Sequence, residues 1–197
     1  MGAWICFQDE AGQGLRPPKG RTWSRRGHRP QVRVHGGEHG SRVSIAGMVC
    51  YRPGHRSRLI YRIHRYRRRK DERAGFSLAE YTRMLQAAHQ QLPGGKIVLV
   101  WDNLGVHHSK AMRAFIDAHA DWLTVFYLPA YAPELNPAET VWSLLKRSMV
   151  NFLATDLDDL ADMIKHRLKV IQHHPGVIDG CLAPTGLTLN TTPAITN

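Results

Sequence analysis

The sequence lacks any hydrophobic run long enough to cross a membrane. No stretch approaches the ~18 consecutive apolar residues that a transmembrane helix requires. The apolar run from Trp4 to Phe7 has no basic segment ahead of it and is soon followed by Asp9 and Glu10. A signal peptide needs a basic start and a longer apolar core, so none is predicted, and we expect no membrane partner.

Cysteine is scarce as well. The three residues present, Cys6, Cys50 and Cys181, are odd in number and far apart along the chain. This pattern excludes a disulfide framework and favours reduced thiols in a cytosolic protein. The chain has 12 histidines, but no Cys/His pairing has the spacing of zinc ligands, so a zinc site is excluded too.

Acidic residues are few in the first part of the chain. Residues 1–75 contain 18 Lys and Arg against 5 Asp and Glu, whereas residues 76–197 contain 9 against 11. The net charge of +11 therefore resides in the first 75 residues. Most of these basic residues are arginine, whose planar guanidinium group suits phosphate.

The densest basic segment runs from Arg52 to Arg73, where 10 of 22 residues are Lys or Arg. Such a segment predicts a polyanionic partner, in the first place nucleic acid. The alternative is a solvated basic face without a partner. Between Arg58 and Tyr66 apolar and basic residues alternate, which predicts a strand whose basic side chains line one face.

Periodicity and turn residues predict a mixed α/β protein, with a sheet of about five strands and helices packed on it. The predicted strands are 4–9, 42–51, 58–66, 96–101 and 123–128, with a short extra strand at 31–34, and the predicted helices are 77–91, 109–120, 137–153 and 155–171. The second and third strands should form a hairpin. The strand at 96–101 is apolar throughout, as in the centre of a sheet.

This order of elements predicts one domain over residues 1–175. Within it, residues 12–42 form a basic arm rich in Gly and Pro, and residues 52–73 form a basic hairpin segment. Residues 184–197 are rich in Thr, Pro and Asn and are expected to be a disordered tail.

Two glutamates, Glu134 and Glu139, lie five residues apart in a Pro-rich segment. Asn136 and Pro137 ahead of Glu139 predict a helix start, with Asn as N-cap, Pro at the first helical position and Glu in the first turn. Glu139 is then either a capping residue or a carboxylate that this turn aims at a site. We expect one role or the other, because a carboxylate folded back onto the Asn136 N–H is less free to bind metal. Glu134 is taken as a loop residue.

Three acids stand at the ends of predicted segments. Asp9 closes the first strand, Asp102 follows the central strand, and Glu139 opens the helix after the last strand. Each alone could simply end a strand or cap a helix. Ligands bind at strand ends in α/β sheets, and three carboxylates that converge there repel one another unless a cation lies between them. Oxygen ligands suit Mg²⁺, and two such ions can clamp a displacement at phosphorus.

Three blocks of the sequence resemble a known family. They are Phe7-Gln8-Asp9-Glu10 with Pro17, Thr22-Trp23, Arg26-Gly27 and Pro30; Val98-Leu99-Val100-Trp101-Asp102-Asn103 with His107; and the run from Leu128 to Glu139 with Trp142 and Lys146. Over residues 4–172 they are similar, in this order, to the catalytic domain of DDE transposases in the bacterial insertion-sequence branch of the Tc/mariner superfamily.

The resemblance implies an RNase H-like fold and a catalytic triad of Asp9, Asp102 and Glu139 that binds two Mg²⁺ or Mn²⁺ ions. The implied reaction is hydrolysis at transposon ends, followed by attack of the freed 3′-hydroxyl on target DNA. The implied partners are transposon-end and target DNA and a second copy of the chain in an active homodimer. The expected location is the bacterial cytoplasm, in association with the nucleoid.

Other residues are expected to support this chemistry. Supporting roles near the triad are expected for Glu10, Asn103, His107 and Asn136. Asn103 could orient Asp102, bind phosphate or simply occupy a turn, and His107 could contact the scissile region or a carboxylate. The residues expected to bind DNA are Arg21, Arg25, Arg26, Arg58, Arg62, Arg65, Arg67, Arg68, Arg69, Lys70 and Lys146. Trp23 is expected to anchor the basic arm, with base stacking as the alternative.

The sequence departs from the family in two places. Helix-turn-helix modules that recognise transposon ends normally precede the catalytic domain and are missing here, so we expect a separately encoded segment or a truncated copy. Glu134 stands where the family often has Asp, a mild change in a loop. Two other functions stay open: a catalytically inactive DNA-binding remnant, and another RNase H-like nuclease that acts on RNA or on hybrids.

Overall fold

A five-stranded mixed sheet organises the protein. The computed structural model describes residues 2–28, 40–129 and 132–189. The strands are β1 (Trp4–Gly14), β2 (Arg42–Tyr51), β3 (Arg58–Tyr66), β4 (Ile97–Trp101) and β5 (Leu123–Tyr127). Their spatial order is β3-β2-β1-β4-β5, antiparallel among the first three and parallel from β1 through β5. The predicted sheet of about five strands is confirmed.

The hairpin of β2 and β3 has the bounds that the sequence predicts, but its basic side chains do not share one face. Successive side chains of a strand point to opposite faces, so Arg62 and Arg65 lie on opposite sides of the sheet. Arg65 reaches Asp158 and Asp162 in the helical layer on its side. The prediction of a single basic face is therefore wrong, because the spacing of the arginines changes from even to odd along the strand.

The helices lie on both faces of the sheet. They are α1 (Leu78–Gln91), α2 (Lys110–Ala118), α3 (Pro137–Ser148), α4 (Leu157–His173) and α5 (Pro175–Gly180). A capping box of Ser77 and Glu80 begins α1. Two predicted helix bounds need correction. The helix α3 ends at Ser148 rather than near 153, and α4 begins at Leu157 rather than at 155, because the carboxylate of Asp156 caps it by accepting from the N–H groups of Asp158 and Asp159.

Each face of the sheet has its own core. Helices α3, α4 and α5 cover β1 to β3 on one face, around Phe7, Trp142 and Ile164. Helices α1 and α2 cover the other face, around Tyr81 and Trp101. The three cysteines are buried as free thiols. Among the residues described, no helix is long and apolar enough to span a bilayer.

Three predicted segment boundaries differ from the structure. Strand β1 continues to Gly14, five residues past the predicted end, because β2 offers it an antiparallel partner as far as Arg42. The predicted arm of residues 12–42 therefore begins inside β1, and the strand predicted at 31–34 lies outside the described residues. At the other end, a 3₁₀ helix spans Ala183–Thr185, and Leu189 packs against the core. The predicted tail thus begins too early; residues 190–197 lie outside the described part.

Candidate active site

Asp9 lies in β1 just beyond the part of that strand that pairs with β4. The last parallel pair is Phe7 with Val100, so the same register carried two residues further sets Asp9 beside Asp102. The sequence predicts Asp9 at the end of β1, but the strand continues past it to Gly14. Asp9 lies instead just beyond the point where the parallel pairing of β1 with β4 stops. Its side chain faces α3, where Trp142 Nε1 donates to Oδ2 over 2.9 Å.

Asp102 directly follows β4, as predicted. Two donors meet its Oδ1: Nδ1 of His107 lies 2.8 Å away, and the Leu104 N–H donates over 3.2 Å. Burial opposes the charge of this carboxyl, but these hydrogen bonds and the nearby His107 and His108 outweigh it and lower the pKa of Asp102. Asp102 is therefore held as a carboxylate.

Glu139 occupies the first turn of α3, and Asn136 caps that helix. The Asn136 side chain accepts from the Ala138 N–H over 3.1 Å, and its own N–H donates to Pro133 O over 2.9 Å. Because that N–H is already used, Glu139 is not a capping-box partner. Its exposed carboxylate has no hydrogen bond or ion pair within the described part of the chain. The sequence leaves open whether Glu139 is a capping residue or a carboxylate of a site, and the structure excludes the capping role.

The three acids share one pocket of about 420 Å³ at this edge of the sheet. Asp9, Asp102 and Glu139 all line it, together with Asn103 and Asn136, and the apolar part of the lining is Leu128, Pro129, Ala132 and Pro133. Glu134 is exposed in a 3₁₀ helix, Pro133–Leu135, beside the pocket. Three segments far apart in sequence thus bring their carboxylates to a single cleft.

The carboxyl groups in this pocket and beside it affect one another. Burial and the charges of Glu139 and Asp102 raise the pKa of Asp9 to about 6, even though the Glu10 N–H and Trp142 donate to it. Burial and the charges of Asp102 and Asp9 raise the pKa of Glu10 to about 7. The pocket therefore concentrates more negative charge than its own hydrogen bonds neutralise.

Glu10 does not line the pocket. Since it neighbours Asp9 in a strand, it points to the opposite face, where Tyr81 Oη donates to its Oε1 and His107 Nε2 lies 4.0 Å away. Asn103 does line the pocket. Its Nδ2 donates to Leu128 O over 2.6 Å, and its Oδ1 lies 3.1 Å from His108 Nε2, so it ties the β4 turn to the end of β5.

The oxygen atoms of the side chains that line the pocket suit a divalent cation. Carboxylate and amide oxygens are the ligands that Mg²⁺ and Mn²⁺ prefer. The raised pKa of Asp9 also marks a place where a cation would relieve repulsion. Within residues 2–28, 40–129 and 132–189, however, no three His, Cys, Asp or Glu side chains are arranged closely enough to hold an ion as they stand. A shift of at least one carboxylate would have to accompany binding.

The predicted DNA-binding residues are spread over the molecule rather than gathered at the pocket. The exposed ones are Arg21, Arg25 and Arg26 of the arm, Arg58 of β3, Arg68, Arg69 and Lys70 after the hairpin, and Lys146 of α3. Arg62 is half-buried on the α1 side of β3. Arg65 and Arg67 each lie 2.8 Å from an oxygen of Asp158 in α4, so these two already have acidic partners.

Sequence reasoning missed some residues of the site and misjudged another. Trp142 and Tyr81, which contact Asp9 and Glu10, look like ordinary apolar positions of amphipathic helices, with indole and phenol donors as a further signal. Trp142 also stands in the third block that resembles the family, but no role was predicted for it. Trp23, predicted as an anchor, is 98% exposed. That prediction is wrong for the described part of the chain, since the ring packs on nothing there.

Residues 4–161 match the family of DDE superfamily endonucleases. A curated protein of Sinorhizobium fredii, the uncharacterized protein y4pE/y4sA, is 32% identical over 68 residues, which are 34% of this chain and 47% of that protein. This chain thus spans about half the length of the curated relative that it matches.

Solved structures of Mos1 mariner transposase share the fold. The catalytic domain of that transposase matches with a TM-score of 0.53 and 15% identity, over 94% of this chain and 84% of the other. A pre-cleavage Mos1 transpososome matches with a TM-score of 0.60 and 14% identity, over 94% of this chain and 57% of the other. The fold is RNase H-like, as predicted.

Proposed function

The chain belongs to the DDE superfamily endonucleases, and from this premise we propose that it is the catalytic part of a cut-and-paste transposase. It would hydrolyse phosphodiester bonds at transposon ends and then join the freed 3′-hydroxyl to target DNA. The observation that carries this proposal is the pocket itself. Asp9, Asp102 and Glu139 come from three separate segments and line one cleft beyond the point where the parallel pairing of β1 with β4 ends.

Asp9, Asp102 and Glu139 would hold two Mg²⁺ or Mn²⁺ ions. Bound there, the ions would activate the attacking water or hydroxyl and stabilise the leaving oxygen of an in-line displacement. Other side chains of this chain position the three carboxylates. Trp142 contacts one carboxylate oxygen of Asp9, and His107 contacts one of Asp102. Asn136 fixes the start of α3 and so the position of Glu139.

The lining of the same pocket is both polar and apolar. The carboxylates and Asn103 line it together with Leu128, Pro129 and Pro133. A nucleotide has the same division, with a charged phosphate and less polar sugar and base. We infer that the phosphate binds near the carboxylates, with the metal ions between them, while the sugar contacts the apolar residues.

DNA is the proposed partner, because the first 75 residues carry a large excess of arginine and lysine. The arm residues Arg21, Arg25 and Arg26, together with Arg58 and Arg62 of β3, are the proposed contacts. A homodimer in the active complex and association with the nucleoid complete the proposal.

The test is metal-dependent nicking of supercoiled plasmid, followed by joining of a 3′-hydroxyl oligonucleotide. The wild type is expected to nick with Mg²⁺ or Mn²⁺ and not with EDTA. Asp102→Asn and Glu139→Gln should both abolish nicking. This effect is larger than the ~10–100-fold loss that follows when a residue hydrogen-bonded to a metal ligand is removed. Glu134→Gln, in the same turn, is the matched control and should nick at the wild-type rate.

The same preparation separates the alternatives. Salt-sensitive DNA binding without nicking in either metal would identify an inactive DNA-binding remnant. Cleavage of RNA–DNA hybrid but not of duplex DNA would identify a different RNase H-like nuclease. Nicking that survives Glu139→Gln but not Glu134→Gln would refute the assignment of the third carboxylate.

A further inference from the structure

A series of side-chain contacts connects Asp102 to residues that do not line the pocket. His107 is 1% exposed, and its Nδ1 lies 2.8 Å from Asp102 Oδ1 and 3.4 Å from the backbone carbonyl oxygen of Asp102. The Leu104 N–H donates to the same oxygen over 3.2 Å. Both donors therefore meet Oδ1. Within the described residues Oδ2 has no hydrogen-bond partner, which leaves it available to the pocket.

The ring of His107 packs against two aromatic rings, and its backbone carbonyl accepts a hydrogen bond. It stacks on Trp101 with ring centroids 3.7 Å apart, and the Tyr81 ring meets it edge-on at 5.1 Å. Tyr127 Oη donates to the His107 carbonyl over 3.1 Å. An imidazole packed in this way cannot turn freely, so the nitrogen that faces Asp102 is fixed by the core.

The other ring nitrogen points at Glu10. His107 Nε2 is buried without a hydrogen-bond partner in the described part of the chain, and Glu10 Oε1 lies 4.0 Å from it. Tyr81 Oη donates to that same Oε1. Glu10 therefore belongs to the group around His107, while its neighbour Asp9 belongs to the pocket.

We propose that His107 is a positioning residue that fixes the Asp102 carboxylate, keeping Oδ1 occupied and presenting Oδ2 to the pocket. The Tyr81 ring packs edge-on against the imidazole. The inference rests on the proposed function, because Oδ2 would be the oxygen that a divalent ion meets. Neutral imidazole with its proton on Nδ1 and imidazolium both supply the donor, so the role does not depend on the charge of His107.

The physical gain is a carboxylate that is already oriented. A free aspartate rotates about its terminal bond and offers either oxygen, and ordering it on metal binding opposes affinity. Groups that orient metal ligands in this way typically contribute ~10–100-fold to metal affinity or activity. A rigid histidine in a dry core achieves this better than a mobile surface group.

Two substitutions at one position test the donor. In His107→Asn the side-chain amide can donate from nearly the place of Nδ1, whereas His107→Leu has similar bulk and no donor. Mn²⁺ binding is measured by calorimetry on the full chain without DNA, and apo melting temperatures report folding. Affinity should fall ~10–100-fold in His107→Leu and stay much closer to wild type in His107→Asn.

Each outcome decides the matter. Wild-type Mn²⁺ affinity in His107→Leu, or equal losses in the two variants, would overturn the inference. If His107→Leu does not fold, His107→Phe keeps an aromatic ring against Trp101 and removes the donor; a weaker Mn²⁺ affinity is then expected, and an unchanged one counts against the inference. A wild type that binds no Mn²⁺ at all would instead refute the proposed function.

Discussion

The indole Nε1 of Trp142 donates a hydrogen bond to Oδ2 of Asp9 over 2.9 Å, so a core side chain of α3 holds a carboxylate of the pocket. The same ring packs directly over Gly47, which is the residue of β2 that pairs with Asp9. The position of the Asp9 carboxylate therefore depends on how closely α3 approaches the sheet.

Gly47→Ala tests that close approach. A Cβ at this position would overlap the Trp142 ring, and overpacking of this kind costs ~1–3 kcal/mol. We expect a melting temperature lower by several degrees, measured by circular dichroism, and slower metal-dependent nicking, because Trp142 must shift away from Asp9.

Gly12→Ala is the matched control in the same sheet, where the nearest atom to a new Cβ lies 3.9 Å away. Ordinary contact at that distance predicts little change. Equal destabilisation by the two alanines would mean that Trp142 does not determine the effect.

The raised pKa of Asp9 predicts how stability depends on pH in the metal-free protein. Burial first, and then the charges of Glu139 and Asp102, raise this pKa from 3.8 to about 6. The folded state thus binds the proton more tightly than the unfolded chain does. The stabilisation is complete below pH ~4 and is lost as the pH rises through about 6.

Asp9→Asn has no carboxyl group that titrates at this position, so the loss of stability with rising pH should disappear. In EDTA the variant should become progressively more stable than the wild type between pH ~4 and ~7, by at most ~3 kcal/mol. Denaturant unfolding at several pH values gives the difference. Adding Mn²⁺ at neutral pH should stabilise the wild type and not the variant. A difference that stays constant with pH would show that Asp9 titrates alike in both states.

The sequence predicts those features of the fold that depend on neighbouring residues. The β2–β3 hairpin and the Asn136 cap of α3 follow from alternation and from capping chemistry within a few residues. Asp102 at the end of an apolar strand and Glu139 after Asn136-Pro137 are visible for the same reason. These local patterns are enough to predict both the sheet and the three acids.

The remaining features depend on contacts between distant residues. Strand β1 extends past Asp9 because β2 pairs with it, and Trp142 reaches Asp9 across 133 residues of chain. Arg65 meets Asp158 in a helix far along the sequence. Composition marks such arginines as basic but cannot show that an acidic helix has already paired with them.

Arg62 and Arg65 should differ in DNA binding although they lie three residues apart in β3. Arg65 lies 2.8 Å from Asp158 and 3.6 Å from Asp162, whereas Arg62 has no ion pair among the described residues. Arg62→Ala should weaken DNA binding. It should also make the slope of log affinity against log salt shallower by about 0.9 for each phosphate that the protein no longer neutralises. Fluorescence anisotropy with labelled duplex across a salt series measures both.

Arg65→Ala should change this slope little, because α4 already neutralises that guanidinium. Asp158→Asn should strengthen DNA binding, since it frees Arg65 and Arg67, while an exposed ion pair adds only ~0–1 kcal/mol to stability. Equal effects of Arg62→Ala and Arg65→Ala on affinity would show that the ion pairs with α4 open when DNA binds.

Trp23 can report whether the basic arm binds DNA. It is 98% exposed, whereas Trp4, Trp101, Trp122 and Trp142 are at most 8% exposed, so one indole dominates the solvent-accessible emission. Arg21 and Arg25 lie two residues away on either side. DNA held by these arginines would shield the ring, so duplex DNA should reduce acrylamide quenching of the emission in a salt-sensitive way.

Trp23→Phe should remove the signal and leave the far-ultraviolet dichroism unchanged, because the ring packs on nothing in the described structure. DNA binding that leaves the quenching of Trp23 unaltered would exclude the arm from the DNA interface and leave β3 as the contact surface.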